Sequence, residues 1–285
     1  MFAPLDRCIM RADEPKILPV SSSTPPQFPG EQKRLFREVL RLMNDRNIPY
    51  VVSGAFALHE HTGIWRDTKD LDLFLPPEDV GAALKYLAED GFSLEVTDPV
   101  WLAKAVRADY FVDLITGMSN GVIKVDRSWI ERSHKSKVMG VPSRVLAAEE
   151  LIASKVFVAF RERFDGADIV HIIFGTQGKL DWERILHLLG DHWGLLLHYL
   201  VLYQYVYPKF PSYVPQEIWD RLLGRLSAEL HQPGDKYVFR GSLVDENMFA
   251  IDVEEWGLPN PIEQFRAEKQ KIETNIIITR DLDVA

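Results

Sequence analysis

Asp70 and Asp72 stand two residues apart in the run Asp-Leu-Asp-Leu-Phe-Leu, where they alternate with Leu71, Leu73 and Leu75. Residues i and i+2 of a strand point to the same face, so this spacing sets two carboxylates side by side. Bare carboxylates that close repel and raise each other's pKa unless a cation lies between them. Hard divalent cations, Mg²⁺ or Mn²⁺, take carboxylate oxygens and commonly share them with substrate phosphates. The chemistry this pair offers is therefore that of a metal bound to a nucleotide.

A third acid, Asp113, interrupts the apolar run from Phe111 to Ile115. A carboxylate in a buried strand is costly unless paired or metal-bound, and a strand beside the paired acids would bring all three together. Ser53-Gly54 follows the β-branched pair Val51-Val52 and opens a segment of small and apolar residues up to His61. A helix start beside a glycine lets backbone N–H groups approach a phosphate, although such turns also arise for conformational reasons alone. Downstream, Lys155 shares a predicted helical face with Leu151, Ile152, Ala159 and Phe160, where it either lies along the core edge or reaches a triphosphate. Asp165 and Asp168 then flank Gly166. Six cations, Lys124, Arg127, Arg132, Lys135, Lys137 and Arg144, face only Asp126 and Glu131 in their window, as a solvated face or as the rim of a polyanion site.

The elements that must position these groups follow from periodicity. Helices are expected over Glu31–Asn47, Gly54–His61, Glu78–Asp90, Ala147–Phe164 and Gln216–His231, and from an Asp181 N-cap to about Tyr207. Strands are expected at Val51–Val52, Leu71–Leu75, Leu102–Val106 and Phe111–Ile115. Residues 1–29, with six prolines and three consecutive serines, read as an extended or disordered arm. The segment 232–285 reads as an acidic, partly ordered tail with a docking segment at Met248–Gly257 and a strand-like run at Ile276–Ile278.

Composition narrows the classes. At 285 residues, 46% apolar and 26% charged, the chain has the makeup of a globular protein. One cysteine, Cys8, allows no internal disulfide and no cysteine zinc cluster, which suits a reducing cytoplasmic setting. No secretory signal is expected, and the apolar stretch Trp193–Tyr207 is shorter than the roughly 20 residues of a membrane helix, so no membrane partner is expected. A net charge of −9 argues against a general nucleic-acid binder.

Taken together, the Ser53-Gly54 turn, the paired acids and the later Asp113 resemble the nucleotidyltransferase superfamily of the polymerase-β type. The stretch Arg66-Asp67-Thr68-Lys69-Asp70-Leu71-Asp72 resembles the Arg-x-Thr-x-Asp-hydrophobic-Asp signature of bacterial minimal nucleotidyltransferases, among them aminoglycoside and lincosamide adenylyltransferases and the AbiEii and MenT toxin groups. Lys155 and the Asp165–Asp168 segment are similar to motifs that the toxin group adds. Two departures are visible: the first element reads Ser-Gly where the family usually has Gly-Ser or Gly-Gly, and Phe164 stands where the toxin group commonly carries a Lys.

The resemblance implies an α+β nucleotidyltransferase fold, a small mixed sheet flanked by helices, with a catalytic domain at 30–145 and a helical domain at 146–231. It implies that Asp70, Asp72 and Asp113 hold Mg²⁺ or Mn²⁺, and that Ser53, Gly54, Arg66, Thr68, Lys155 and Asp168 serve the nucleotide. The implied partner is an NTP, ATP among them. The acceptor stays open between a small molecule, tRNA and protein, as do the oligomeric state and membership of a toxin–antitoxin pair. Two other readings stay open: a glycosyltransferase using Asp-x-Asp, which gives Ser53-Gly54 and Asp113 no role, and a non-catalytic or antitoxin-like protein on the same fold.

Overall fold

The computed structural model describes residues 26–66, 68–232 and 239–264. Cys8, Asp67, Ile276–Ile278 and most of the N-terminal arm lie outside them. The chain begins with α1 (Gly30–Asp45), whose Leu35, Phe36, Val39, Leu40 and Met43 are buried on one face at helical spacing. Each such side chain contributes about 1.5–3 kcal/mol of burial, which fixes the helix against the sheet. Next come β1 (Val51–Val52), α2 (Gly54–Thr62), β2 (Asp72–Phe74) and α3 (Pro77–Glu89), with Pro77 at the first helical position. The antiparallel run β3 (Ser93–Asp98), β4 (Leu102–Arg107) and β5 (Tyr110–Ile115) follows, then α4 (Arg127–Arg132) and the hairpin β6 (His134–Val138) and β7 (Val141–Val145).

The seven strands form one mixed sheet in the order β3-β4-β5-β2-β1-β7-β6. Two parallel pairings matter for function. β2 pairs parallel with β5, setting Asp72 opposite Asp113, and β1 pairs parallel with β7. β1 is only two residues long, yet it sits between β2 and β7, and the Ser53 N–H continues its ladder by donating to the Asp72 carbonyl at 2.9 Å.

The C-terminal half is helical: α5 (Ala148–Lys155), α6 (Gly166–Gly175), α7 (Trp182–Leu189), α8 (Trp193–Val206), α9 (Gln216–His231), α10 (Gly241–Val244) and α11 (Ala250–Glu254). Asp181 caps α7 by accepting from the Arg184 N–H at 3.0 Å. By length and composition the stretch Trp182–Val206 could cross a membrane. It is interrupted at Gly190, where φ is +49°, and it places Trp182, Ile185, Trp193, Leu196, Tyr199, Leu200 and Tyr203 in the core.

Two expectations need correction, and a third is settled between its alternatives. The helix expected over Ala147–Phe164 ends at Lys155. Residues 156–164 form a tight loop in which the Asp165 N–H donates to the Val158 carbonyl at 2.9 Å. No glycine or proline marks this break. A continued helix would carry Asp165 about 15 Å along the axis from Lys155, whereas the loop brings their charged groups to 2.8 Å. The basic window is a solvated face, with Lys124, Arg127, Arg132, Lys135 and Lys137 exposed, and its arginines are also paired within the fold. Arg127 pairs with Glu78 and Asp79, Arg132 with the fully buried Glu150, and Arg144 donates to Ile130 and Ser133. Finally, the part of the tail that docks is not Met248–Gly257, whose Met248, Ile251 and Trp256 are exposed. It is α10 with Asp245 and Ile262, where Ser242, Leu243, Asp245 and Ile262 are buried.

Candidate active site

A cleft of about 1110 Å³ opens where the β2 and β5 ends of the sheet meet α5, the 156–164 loop and the α10 segment. Its floor is the acid cluster. Asp70 stands just before β2, Asp72 begins that strand, and Asp113 lies on its neighbour; one carboxylate oxygen of each falls within 4.8 Å of the others. Register places them there, since Asp72 and Asp113 are paired across the parallel strands and the Asp113 N–H donates to the Leu71 carbonyl at 3.0 Å. Thr68, two residues before Asp70, donates its hydroxyl to Asp70 Oδ1 at 2.8 Å and so fixes that carboxylate's orientation.

The electrostatics of this floor are unfavourable by themselves. Burial, then the charges of Asp70 and Asp113, push the Asp72 carboxyl up to about 7. Burial also raises Asp113, against the opposing hydrogen bond from Lys104. Three converging carboxylates with only oxygen donors are a donor set that fits a hard divalent cation, and such a cation would remove the repulsion.

Gly54 forms the wall directly over Asp72. Its φ is +57°, and a Cβ there would meet Asp72 Oδ2 at 1.8 Å, so only glycine permits this approach. The Ser-Gly order thus has a physical reason: the second position of the turn is the one pressed against the carboxylate. Ser53 is buried at the N-cap of α2 with extended backbone.

The opposite wall is a chain of alternating charges. Lys155 Nζ lies 2.8 Å from Asp165 Oδ2 and 3.0 Å from Asp168 Oδ2, and all three side chains are largely buried. Arg66 donates to Asp168 Oδ1 at 2.8 Å and meets His171 Nδ1 at 3.0 Å. Burial and the neighbouring Arg66 guanidinium lower the His171 pKa. Arg163 grips Asp165 through two hydrogen bonds of 3.0 Å, while its side chain stays 66% exposed. Burial would raise Asp165, but Arg163 and Lys155 outweigh it and hold its carboxyl below the usual range. Lys155 and Arg163 also bear on Asp72, drawing it down.

All nine sequence-predicted residues line this cleft or directly support it. Ser53, Gly54, Arg66, Thr68, Asp70, Asp72, Asp113, Lys155 and Asp168 converge there from five separate parts of the chain. Sequence reasoning missed Lys104, whose Nζ lies 2.7 Å from Asp113 Oδ1, because nothing in the run Leu-Ala-Lys-Ala-Val shows which strand it will pair with. It missed Arg163, treated as part of a helix. It also missed the C-terminal wall, where Asn120 donates to the Leu243 carbonyl at 3.0 Å and Asp245 accepts the Arg161 N–H at 3.1 Å. The cleft's farther end is formed there by Trp101, Met118, Asn120, Leu243 and Asn247.

A glycine turn pressed against a cluster of three acids on adjacent strands, facing a wall of paired charges, is the site of a nucleotidyltransferase. The chain belongs to the family described as Nucleotidyl transferase of unknown function (DUF2204), whose model matches residues 32–189. No curated protein matches it. Solved structures similar to it include the solution structure of the antibiotic-resistance factor ANT(2'')-Ia, at 19% identity and a TM-score of 0.39 over 60% of this chain and 97% of that one. The lincomycin-bound lincosamide antibiotic adenylyltransferase LnuA matches at 15% identity and 0.37 over 50% and 95%. An antigenic nucleotidyltransferase-like protein from Paracoccidioides brasiliensis matches at 14% and 0.41 over 66% and 95%. Likeness at this level says nothing of substrate.

Proposed function

We propose that this nucleotidyltransferase moves a nucleoside monophosphate from an NTP to a hydroxyl of an acceptor held at the far end of the same cleft, and that it depends on a divalent cation. The observation that carries the reading is the convergence of Asp70, Asp72 and Asp113 beneath the Gly54 turn. Mg²⁺ or Mn²⁺ held by these carboxylates would neutralise phosphate charge and align the reacting groups. The chain's own residues supply the rest. The start of α2, from Gly54 onward, offers backbone N–H groups to the departing diphosphate. Arg163, the most exposed cation of the opposite wall, is placed to exchange its hold on Asp165 for a phosphate. Arg66 is held by Asp168 and His171, and Lys155 by two acids, so both act first by keeping that wall in shape.

The cleft's volume, about 1110 Å³, exceeds the roughly 300–1,000 Å³ of a site for one small ligand, which supports an enclosed acceptor beside the nucleotide. Its C-terminal wall encloses that end. The test is incubation with each α-labelled NTP, Mg²⁺ and fractionated cell extract. Label transferred to a small-molecule fraction by the wild type, and not by Asp72→Asn, is the expected result. Label appearing only in RNA or protein would replace the small-molecule acceptor, and no transfer to any fraction would overturn the reading.

A further inference from the structure

The acid cluster is one end of a longer charge stripe. Across four adjacent strands, Glu95 of β3 is paired with Lys104 of β4, Lys104 with Asp113 of β5, and Asp113 with Asp72 of β2. Directly paired residues share a face, so acid, cation, acid and acid lie in one transverse row. The Lys104 ammonium is 2.7 Å from Asp113 Oδ1 and sits 4.0 Å from the centroid of the Phe111 ring, two residues before Asp113 on the same strand. Its side chain is 19% exposed and that of Asp113 11%. A desolvated ammonium held by a carboxylate, a ring face and the register of a strand pair is a fixed cation rather than a wandering surface lysine.

We propose that Lys104 takes the place of a second metal ion at Asp113, so that the triad holds one divalent cation per chain. This rests on the metal-dependent reading above. The charge balance of the protein's own side chains, before the triphosphate is added, supports it: three ionised carboxylates and one ammonium leave two negative charges, which one divalent ion neutralises. A second divalent ion at Asp113 would have to share the carboxylate with Lys104 at close range, where like charges repel strongly in a partly dehydrated site. Lys104 is accordingly a positioning residue: it sets metal count and holds the Asp113 carboxylate, and it does not face the opposite wall.

The experiment counts bound Mn²⁺ by electron paramagnetic resonance in the full chain, with whichever of the four α,β-methylene NTP analogues binds. Wild type and Lys104→Arg are expected to hold one Mn²⁺ per chain, and Lys104→Met two. Circular dichroism checks that each variant is folded, and the wild-type count is decisive even if Lys104→Met is not. Two Mn²⁺ in the wild type would overturn the role of Lys104 while leaving the metal-dependent function intact. A folded Lys104→Met that stays at one would also overturn it. No bound Mn²⁺ in the wild type would overturn both.

Discussion

The two walls of the cleft solve opposite electrostatic problems. The floor made by β2 and β5 gathers like charges, Asp70, Asp72 and Asp113, and leaves them short of cations. The wall made by α5, the 156–164 loop and α6 gathers opposite charges, Lys155, Arg163 and Arg66 against Asp165 and Asp168, and satisfies them internally. The floor is held together by strand register in spite of its charges, so removing one charge should relieve it. The wall is held together by its charges, so removing one should loosen it. Buried charge that a scaffold holds under repulsion is what a ligand-binding site requires, whereas self-satisfied charge is what a framework requires.

Mutations at equivalent depth should therefore have opposite signatures. Asp72→Asn is expected to lower transfer activity by about 10³-fold, through loss of metal and phosphate alignment. Because the Asp72 carboxyl is raised to about 7 in the fold, its ionisation opposes folding as pH rises above the ordinary carboxylate range. Metal-free Asp72→Asn should accordingly melt higher than wild type at pH 8. A lower melting temperature would show that the floor is not under repulsion. Lys155→Met should do the reverse, costing about 3 kcal/mol in denaturant unfolding, since Asp165 and Asp168 lose their shared buried partner. Unchanged stability there would erase the contrast.

Gly54→Ala should reduce activity by about 10²-fold, because its Cβ displaces Asp72 from a distance of 1.8 Å. Its stability should fall less steeply than that of Lys155→Met. The smallest effect is in pH. Asp165 has a lowered carboxyl, so the stability it contributes is complete above the ordinary carboxylate range and is lost as pH falls through its folded value. Unfolding free energy measured across acid pH should fall less in Asp165→Asn than in wild type.

How much was legible in advance differs between the two walls for the same reason. Strand alternation encodes the face a residue occupies, so Asp70 and Asp72 could be paired from spacing alone, and Asp113 joined to them once its run was recognised as a neighbouring strand. The helical wall offered no such signal. Lys155 to Phe164 carries no breaker, and the backbone hydrogen bonds of the loop together with the ion pairs hold Arg163 and Asp165 back against Lys155. β3 went unread because Ser93, Glu95, Val96 and Thr97 are exposed on an edge strand, which weakens its alternation. In the basic window, arginines that looked available are held by Glu78, Asp79 and Glu150 from elements far away in sequence.

By itself, then, the sequence determined the chemistry of the floor: which acids, on which face, after which glycine-bearing turn. These depend on backbone periods of a few residues and on a φ that only glycine adopts freely. Tertiary structure decided what lies beside them. That β5 is the parallel neighbour of β2, that Lys104 meets Asp113, and that α10 closes the far end all follow from pairings between segments separated by tens of residues. Such pairings are set by total burial and hydrogen bonding across the sheet, which no local spacing records.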